Sequence, residues 1–222
     1  MPKKHSYYYI EQTLHNKSRV KILLGIFSVL FIGLIGVYYF GLTLAPAVLA
    51  SSTQSINSKE SDLKNQNKDF IVIRKLNLVL PFNKDKSNSK CDSGAWWQNS
   101  ETGNPEKGGN FIISACRFEL NLTPVKTSAS SPFYNLNKIE TGDEIEVYYK
   151  NNVYKYRVET KQTAPIDETK LTEESDVAKL TIFTSNPNGE SDGKLALIAL
   201  PKTETDTKNS ENVKNGQLNI LF

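Results

Sequence analysis

Histidine is almost absent from this chain, and its scarcity limits the chemistry available to the protein. Both histidines, His5 and His15, lie near the N-terminus, and residues 16–222 contain none. Only two cysteines are present, so this long part of the chain lacks the ligand set of an ordinary zinc site. It also lacks the imidazole that most often serves as a general base. We expect no bound metal and no cofactor.

Charged side chains are missing from one long stretch, between Lys21 and Lys59. The apolar residues that open this stretch exceed the roughly 20 needed to cross a bilayer. We therefore predict a transmembrane helix over residues 22–44, with Pro46 at its exit. A cleaved secretory signal is the alternative, because small residues follow at 45–50. The apolar run is longer than the ~7–15 residues of a typical signal, which favours an uncleaved anchor.

The formal net charge of +3 is unevenly distributed along the chain. Residues 1–21 contain five basic residues and one acidic residue, a net charge of +4, which leaves −1 for residues 22–222. The folded part is therefore not basic, so nucleic-acid binding is not indicated. Basic residues precede the apolar helix and none follow it closely. This asymmetry predicts a single-pass cell-membrane protein with a cytoplasmic N-terminus and an extracellular C-terminal domain.

The composition changes twice beyond the predicted helix. Residues 51–68 are rich in polar residues and have too few large apolar ones to form a core, so we predict a flexible stalk over residues 45–68. Residues 69–201 contain the apolar and β-branched runs of a folded domain, and residues 202–222 form a polar tail. The chain is thus predicted to have a basic stub at 1–21, an anchor, a stalk, one domain and a tail.

Short strand-like runs dominate the predicted domain. They lie at 70–73, 76–80, 111–113, 144–149, 153–159, 178–183 and 195–200. The clearest unit is a hairpin in which Asn151-Asn152 joins two of these runs, because Asn tolerates the positive φ of such turns. A short helix is predicted around Leu136 and Ile139. The fold class is mainly β: a closed barrel of about 7–8 strands with short helices, behind an N-terminal transmembrane helix.

The order of the motifs in residues 69–201 resembles the sortase family, membrane-anchored cysteine transpeptidases of bacterial surfaces. The segments that carry the resemblance are Gly94-Ala95-Trp96-Trp97, Phe111-Ile112-Ile113-Ser114-Ala115-Cys116-Arg117, Thr141-Gly142-Asp143-Glu144-Ile145, Tyr154-Lys155-Tyr156-Arg157-Val158, Thr181-Ile182-Phe183-Thr184-Ser185 and Lys194-Leu195-Ala196-Leu197. Each segment is short, but their order behind a membrane anchor is similar to that of the family. The resemblance implies a sortase-type barrel.

All three positions that carry the family's chemistry are altered in this chain. Cys116 stands at the position of the family's His, Ser185 at that of its Cys, and Lys194 at that of its Arg. A serine hydroxyl is a weak nucleophile without a base. We therefore expect a sortase-like module without transpeptidase activity, which binds an extended peptide or a cell-surface protein.

Two active alternatives remain open at these positions. Ser185 and Lys194 could form a Ser-Lys dyad, provided that the lysine is neutral at working pH. Alternatively, Cys116 could act as the nucleophile, with Arg117 or Lys194 lowering the pKa of its thiol. Either arrangement would give a transpeptidase or peptidase with a rearranged nucleophile.

The two cysteines, Cys91 and Cys116, both lie in the part predicted to be extracellular, where thiols tend to oxidise. The sequence leaves open whether they form a disulfide or remain two thiols, because it does not show whether their Cα atoms approach closely. A bridge would remove Cys116 from any catalytic role.

Overall fold

The structure is a computed structural model that describes residues 4–49, 56–84, 91, 94–164, 168–186 and 189–202. It divides the chain into two compact units, residues 1–43 and 44–222. The predicted polar tail from residue 203, residues 50–55 of the predicted stalk and the first three residues of the stub lie outside the described residues. The boundaries of the stub, the anchor, the domain and the tail stay predictions.

Helix α1 spans Lys4–Leu49. Its last 31 residues, Arg19–Leu49, are long and apolar enough to cross a membrane, and an 18-residue window within them has a mean hydropathy of 2.5. Apolar side chains cover its whole circumference, as expected for a helix in lipid. Pro46 lies inside this helix and does not end it, contrary to the prediction. Proline removes one backbone hydrogen bond but does not force the last three residues out of the helical conformation.

Helix α2, Ile56–Asn65, occupies much of the segment that the sequence predicts to be a flexible stalk. Leu63 is buried on one side of it, and Ile56 packs against the same cluster. The other members of this cluster are Phe70, Val72, Val79 and Tyr148. Ile56 and Leu63 are seven residues apart, about two turns, so they lie on one face of α2, and the overall polar composition hides that spacing.

A buried carboxylate also holds α2 in place. Glu60 is 8% exposed and accepts hydrogen bonds from Tyr148 at 2.6 Å and from Lys64 at 2.7 Å. Arg74 lies 3.4 Å from its second oxygen and 2.7 Å from Glu146. Burial tends to raise the pKa of Glu60, but these hydrogen bonds and positive charges outweigh it and hold the pKa below its ordinary value.

Eight strands of the C-terminal unit close into a barrel. The strands of this unit are β1 (Phe70–Ile73), β2 (Leu78–Asn83), β3 (Ala95–Gln98), β4 (Gly103–Asn104), β5 (Gly108–Ser114), β6 (Glu144–Tyr149), β7 (Asn152–Ala164), β8 (Lys179–Asn186) and β9 (Gly189–Pro201). Their order is β3-β2-β1-β6-β7-β9-β8-β5, and the pairing of β3 with β5 closes the barrel. The two-residue strand β4 pairs with β5 as an appendage. The predicted closed barrel with short helices is confirmed.

The β6–β7 hairpin forms where the sequence predicts it, but its turn lies one residue earlier. Tyr149 pairs with Asn152, so the turn is Lys150-Asn151. Both turn residues have positive φ, +50° and +64°, which is typical of a type I′ turn. The run predicted at 76–80 is also shifted, because Arg74–Leu76 forms a 3-10 turn before β2.

Helix α3 (Pro124–Ala129) and helix α4 (Glu168–Leu171) are absent from the sequence prediction, as are β3 and β4. Each of these elements is six residues long or shorter, so no hydrophobic period develops within it. A single 3-10 turn at Leu136–Lys138 takes the place of the predicted short helix, and both Leu136 and Ile139 are buried.

Alternate residues of β5, β8 and β9 fill the barrel interior. The core members from these three strands and their ends are Phe111, Ile113, Ala115, Leu180, Ile182, Leu195, Leu197 and Ala199. The residues between them face outwards, where Ile112, Phe183 and Ala196 form a separate cluster with Leu171 of α4. Because side chains alternate along a strand, the same outer face receives Cys116, Ser185 and Lys194.

Candidate functional site

The three site residues predicted from the sequence, Cys116, Ser185 and Lys194, lie on the outer face of the barrel. Ser185 of β8 pairs directly with Lys194 of β9. Strands β5 and β8 run parallel with Ser114 opposite Phe183, so Cys116, two residues further on, lies level with Ser185. The backbone remains close beyond the ladder, since Thr184 Oγ1 donates to the Ala115 carbonyl at 2.8 Å. We call the row Cys116, Ser185 and Lys194 the outer row.

Cys116 is joined to Cys91 by a disulfide in the structure. The two Cα atoms lie 5.4 Å apart, a normal separation for a bridge. The loop that enters β3 is thereby tied to the end of β5. While the bridge is intact Cys116 has no thiol, so it cannot serve as a thiolate nucleophile.

Ser185 is half-buried, and Lys194, its partner on β9, is also only partly exposed. The amine of Lys194 lies 6.0 Å from the centre of the Phe183 ring. Phe183 is itself 3% exposed and belongs to the outer-face cluster. The ring of Phe183 therefore provides an apolar surface beside Ser185 and Lys194.

Arg117 follows Cys116 in the chain, and its side chain contacts Tyr134. Its guanidinium lies 5.7 Å from the centre of the Tyr134 ring, within cation–π range. One terminal nitrogen is buried and has no hydrogen-bond partner among the described residues. Burial lowers the pKa of this guanidinium, although an arginine of this kind stays charged.

A second set of outward-facing residues lies on the neighbouring strand β3. Gln98 of β3 donates to Ser114 Oγ at 2.6 Å, and Trp96 pairs with Ser114 across the ladder. Trp96 is partly exposed, whereas Trp97 is buried in the core with ring contacts to Phe82, Phe111 and Tyr149. The alternation of the Trp pair is the signal that assigns one ring to each face.

The opposite end of β5 and β8 carries a closed polar cluster. Asn110 is 0% exposed and donates to the carbonyls of Leu171 at 3.0 Å and Glu173 at 2.8 Å. Its amide oxygen accepts from Thr181 Oγ1 at 2.6 Å. These bonds pin the segment that contains α4 to the barrel. No group of three or more His, Cys, Asp or Glu side chains that could hold a metal occurs among the described residues.

Solved structures with the same fold are sortases. Sortase A from Corynebacterium diphtheriae is 19% identical, with a TM-score of 0.50 over 61% of this chain and 60% of that chain. A lid mutant of the same enzyme is 18% identical, with a TM-score of 0.51 over 66% and 79%. The sortase D5 transpeptidase from Clostridium perfringens is 20% identical, with a TM-score of 0.50 over 68% and 91%. At these identities the likeness shows the fold alone.

The family comparison extends over most of the barrel. The sortase domain model matches residues 71–201, which is more than half of the chain. No curated protein matches the sequence. The matched range begins in β1 and ends with the last residue of β9, so it contains the complete barrel. The chain belongs to the sortase family.

Proposed function

We propose that this protein is a membrane-anchored, extracellular sortase-family module that binds an extended peptide or a surface protein and has lost transpeptidase activity. The observation that carries the proposal is the bridge between Cys91 and Cys116. By the resemblance, Cys116 stands at the position of the family's His, which exchanges protons with substrate and leaving group. A disulfide sulfur neither accepts nor donates a proton at working pH.

The residue at the nucleophile position supports the same reading. Ser185 replaces the family's Cys, and a serine hydroxyl needs a base to become a nucleophile. Residues 16–222 contain no histidine that could act as that base. Lys194 keeps the positive charge of the family's Arg but lacks its bidentate, planar donor geometry.

The outer face retains features that suit an extended peptide. Phe183 offers an apolar floor, and Trp96 exposes part of an indole on the neighbouring strand. Gln98 adds a partly exposed amide beside Ser114 on the same face. Alternating apolar and polar contacts are how an extended chain is recognised.

The second candidate function is acyl transfer by Ser185 and Lys194, and their direct cross-strand pairing favours it. Neutral Lys194 would take the proton as Ser185 Oγ attacks a peptide carbonyl, and the ammonium would return it to the leaving amine. An amine acceptor would then displace the serine and release the transferred acyl group. This route requires Lys194 to lose its proton before the attack.

We further propose that residues 1–21 lie in the cytoplasm and that the domain at 69–201 lies outside the cell. The basic residues before α1 support this orientation. Protease added to intact cells should degrade the barrel and spare an epitope tag fused to the N-terminus. Protection of the barrel, with loss of the N-terminal tag, would reverse the orientation.

The deciding experiment uses the full-length protein in detergent micelles with sortase-type LPxTG-like peptides and an amine acceptor. Mass spectrometry would record both retained and converted peptide. We expect retention without conversion, unchanged by Ser185→Ala and by the control Ser175→Ala, a half-buried serine outside the outer row.

Two outcomes would contradict the proposal in different ways. Conversion that disappears in Ser185→Ala but persists in Ser175→Ala would establish the second candidate. If the peptide is neither retained nor converted, such peptides are not the ligand, and the search turns to folded surface proteins.

A further inference from the structure

A cavity of about 290 Å³ lies apart from the outer row, between α2, the start of β2 and the segment that contains α3. Its lining is mostly apolar. The apolar side chains that surround it include Leu76, Leu78, Leu80, Val125, Pro132 and Tyr134. Lys59 is the one charged residue among the described lining residues. An apolar hollow with a single cation is complementary to an amphiphile that carries negative charge.

Two polar side chains of the lining have no partner among the residues that the structure describes. Lys59 forms no ion pair or hydrogen bond there, and the surrounding protein atoms lower the pKa of its amine by desolvation. Asn135 is 8% exposed, and its side-chain amide makes no hydrogen bond to a described residue. Lys59 is exposed, and the amide of Asn135 is not among the buried side-chain atoms that lack a partner. Both groups can therefore exchange water for a ligand that enters the cavity.

An exposed apolar segment adjoins the cavity. The large apolar side chains that lead into α3 and its first turn are Phe118, Leu120, Leu122 and Val125, which are 41%, 48%, 83% and 64% exposed. Val125 belongs both to this segment and to the cavity lining. Concentrated apolar exposure of this kind marks a contact with a protein or a membrane.

Chain length keeps the cavity close to lipid. Residues 50–55 separate the end of α1 at Leu49 from the start of α2 at Ile56. The seven Cα-to-Cα steps from Leu49 to Ile56 span at most about 25 Å, and Lys59 follows in the first turn of α2. Because α1 is apolar enough to cross a membrane, the anchor holds Lys59 within a few nanometres of the headgroups. A lipid is thus the ligand that this cavity meets at the highest local concentration.

We propose that the cavity binds the headgroup of an anionic phospholipid. Lys59 pairs with the phosphate, Asn135 donates a hydrogen bond from its amide, and the apolar lining contacts the first part of an acyl chain. The volume lies at the lower end of the ~300–1,000 Å³ usual for ligand pockets, which suits a headgroup rather than a whole lipid. This site is independent of whether Ser185 is reactive.

The test uses the full-length protein in nanodiscs of phosphatidylcholine alone or of equal parts phosphatidylcholine and phosphatidylglycerol. Hydrogen exchange read by mass spectrometry would follow residues 74–80 and 124–135. We expect slower exchange in both segments when phosphatidylglycerol is present. Lys59→Met should weaken this protection about fivefold, as expected for the loss of one partly exposed ion pair with the phosphate. The control Lys68→Met removes an equal charge from an exposed lysine just beyond α2 and should retain the protection.

Four results would overturn the proposal. If phosphatidylglycerol does not slow hydrogen exchange in the wild-type protein, the cavity does not bind this lipid. If Lys59→Met and Lys68→Met lose the same amount of protection, the effect is one of overall charge and not of a specific site. Protection by inorganic phosphate in phosphatidylcholine discs would show a site for the free anion. Protection by LPxTG-like peptides but not by lipid would make the cavity a peptide site.

Discussion

The two ends of strands β5 and β8 share one outer face of the barrel and differ in how their polar groups are satisfied. At one end, Asn110 is fully buried and bonds to Thr181 and to two backbone carbonyls. At the other end, Ser185 is half-buried beside Lys194, and a disulfide holds the neighbouring Cys116. The hydrogen bonds of the first end form a closed cluster, which adds rigidity. The residues of the second end are only partly buried, so this end is the one for which we propose peptide binding.

The largest expected effect comes from opening the disulfide at the second end. Replacing Cys91 and Cys116 together by Ser should lower the free energy of unfolding by about 3 kcal/mol, because the bridge closes a loop of some 25 residues in the unfolded chain. Urea unfolding of the full-length protein in micelles, followed by tryptophan fluorescence, measures this change. Reduction of the wild-type protein should reproduce it. A loss under about 1 kcal/mol would mean that this end does not depend on the covalent link.

Truncating Asn110, at the end with the closed hydrogen-bond cluster, should lower the free energy of unfolding slightly less than opening the disulfide does. Asn110→Ala removes three hydrogen bonds and leaves two carbonyls and the Thr181 hydroxyl unpaired, which should cost about 2–3 kcal/mol. The same urea experiment applies. Asn137→Ala, at an exposed asparagine, is the control and should change stability by less than about 0.5 kcal/mol. Equal effects of the two variants would contradict the contrast between the ends.

A pH titration extends the comparison to the carboxylate cluster that holds α2. The pKa of Glu60 is depressed in the folded state, so its stabilising contribution is present above the unfolded pKa and is lost as the pH falls below it. We expect acidification from pH 6 to about 3.5 to lower the free energy of unfolding by about 1 kcal/mol through Glu60. The effect is small because its partners Lys64 and Arg74 are half exposed.

Glu60→Gln should remove this part of the pH dependence, and Glu101→Gln, at an exposed position, should leave it intact. Stability would be measured by urea unfolding at each pH. An unchanged pH profile in Glu60→Gln would show that other carboxylates carry the acid sensitivity.

The smallest expected effect is at the outer row itself. Ser185→Ala should change the free energy of unfolding by less than about 0.5 kcal/mol, because the residue is half-buried and bounds an open face. Thr184→Ala is the informative neighbour, since its hydroxyl donates to the Ala115 carbonyl at 2.8 Å and is buried. A larger loss in Ser185→Ala than in Thr184→Ala would place the serine among the structural residues.

Several elements were predictable because their signal is contained in a few adjacent residues. Runs of alternating β-branched and aromatic residues identified β1, β6 and β7, and the unbroken apolar run identified the candidate membrane span. The stalk prediction differed from the structure at α2, because Leu63 and Glu60 acquire their partners from strands that the local composition does not reveal. Strand β3 was missed because four residues carry too little pattern to stand out.

The sequence identifies the residues of the outer row, but it does not predict how they are arranged in space. The sequence names Cys116, Ser185 and Lys194 and shows the absence of histidine after residue 15. Only strand register decides that Ser185 lies directly across from Lys194 and that Cys116 is level with both. Register depends on interactions between distant segments, so no local pattern contains it.

Composition and order alone predicted the apolar span, the strand-rich domain and the substitutions at the positions of the family's chemical residues, because each depends on which side chains follow one another. The tertiary structure decided the bridge between Cys91 and Cys116, the docking of α2 and the cavity beside Lys59. Each of these depends on two or more segments that are far apart in the chain meeting at short range. The barrel brings them together when its alternating apolar residues are buried inside it.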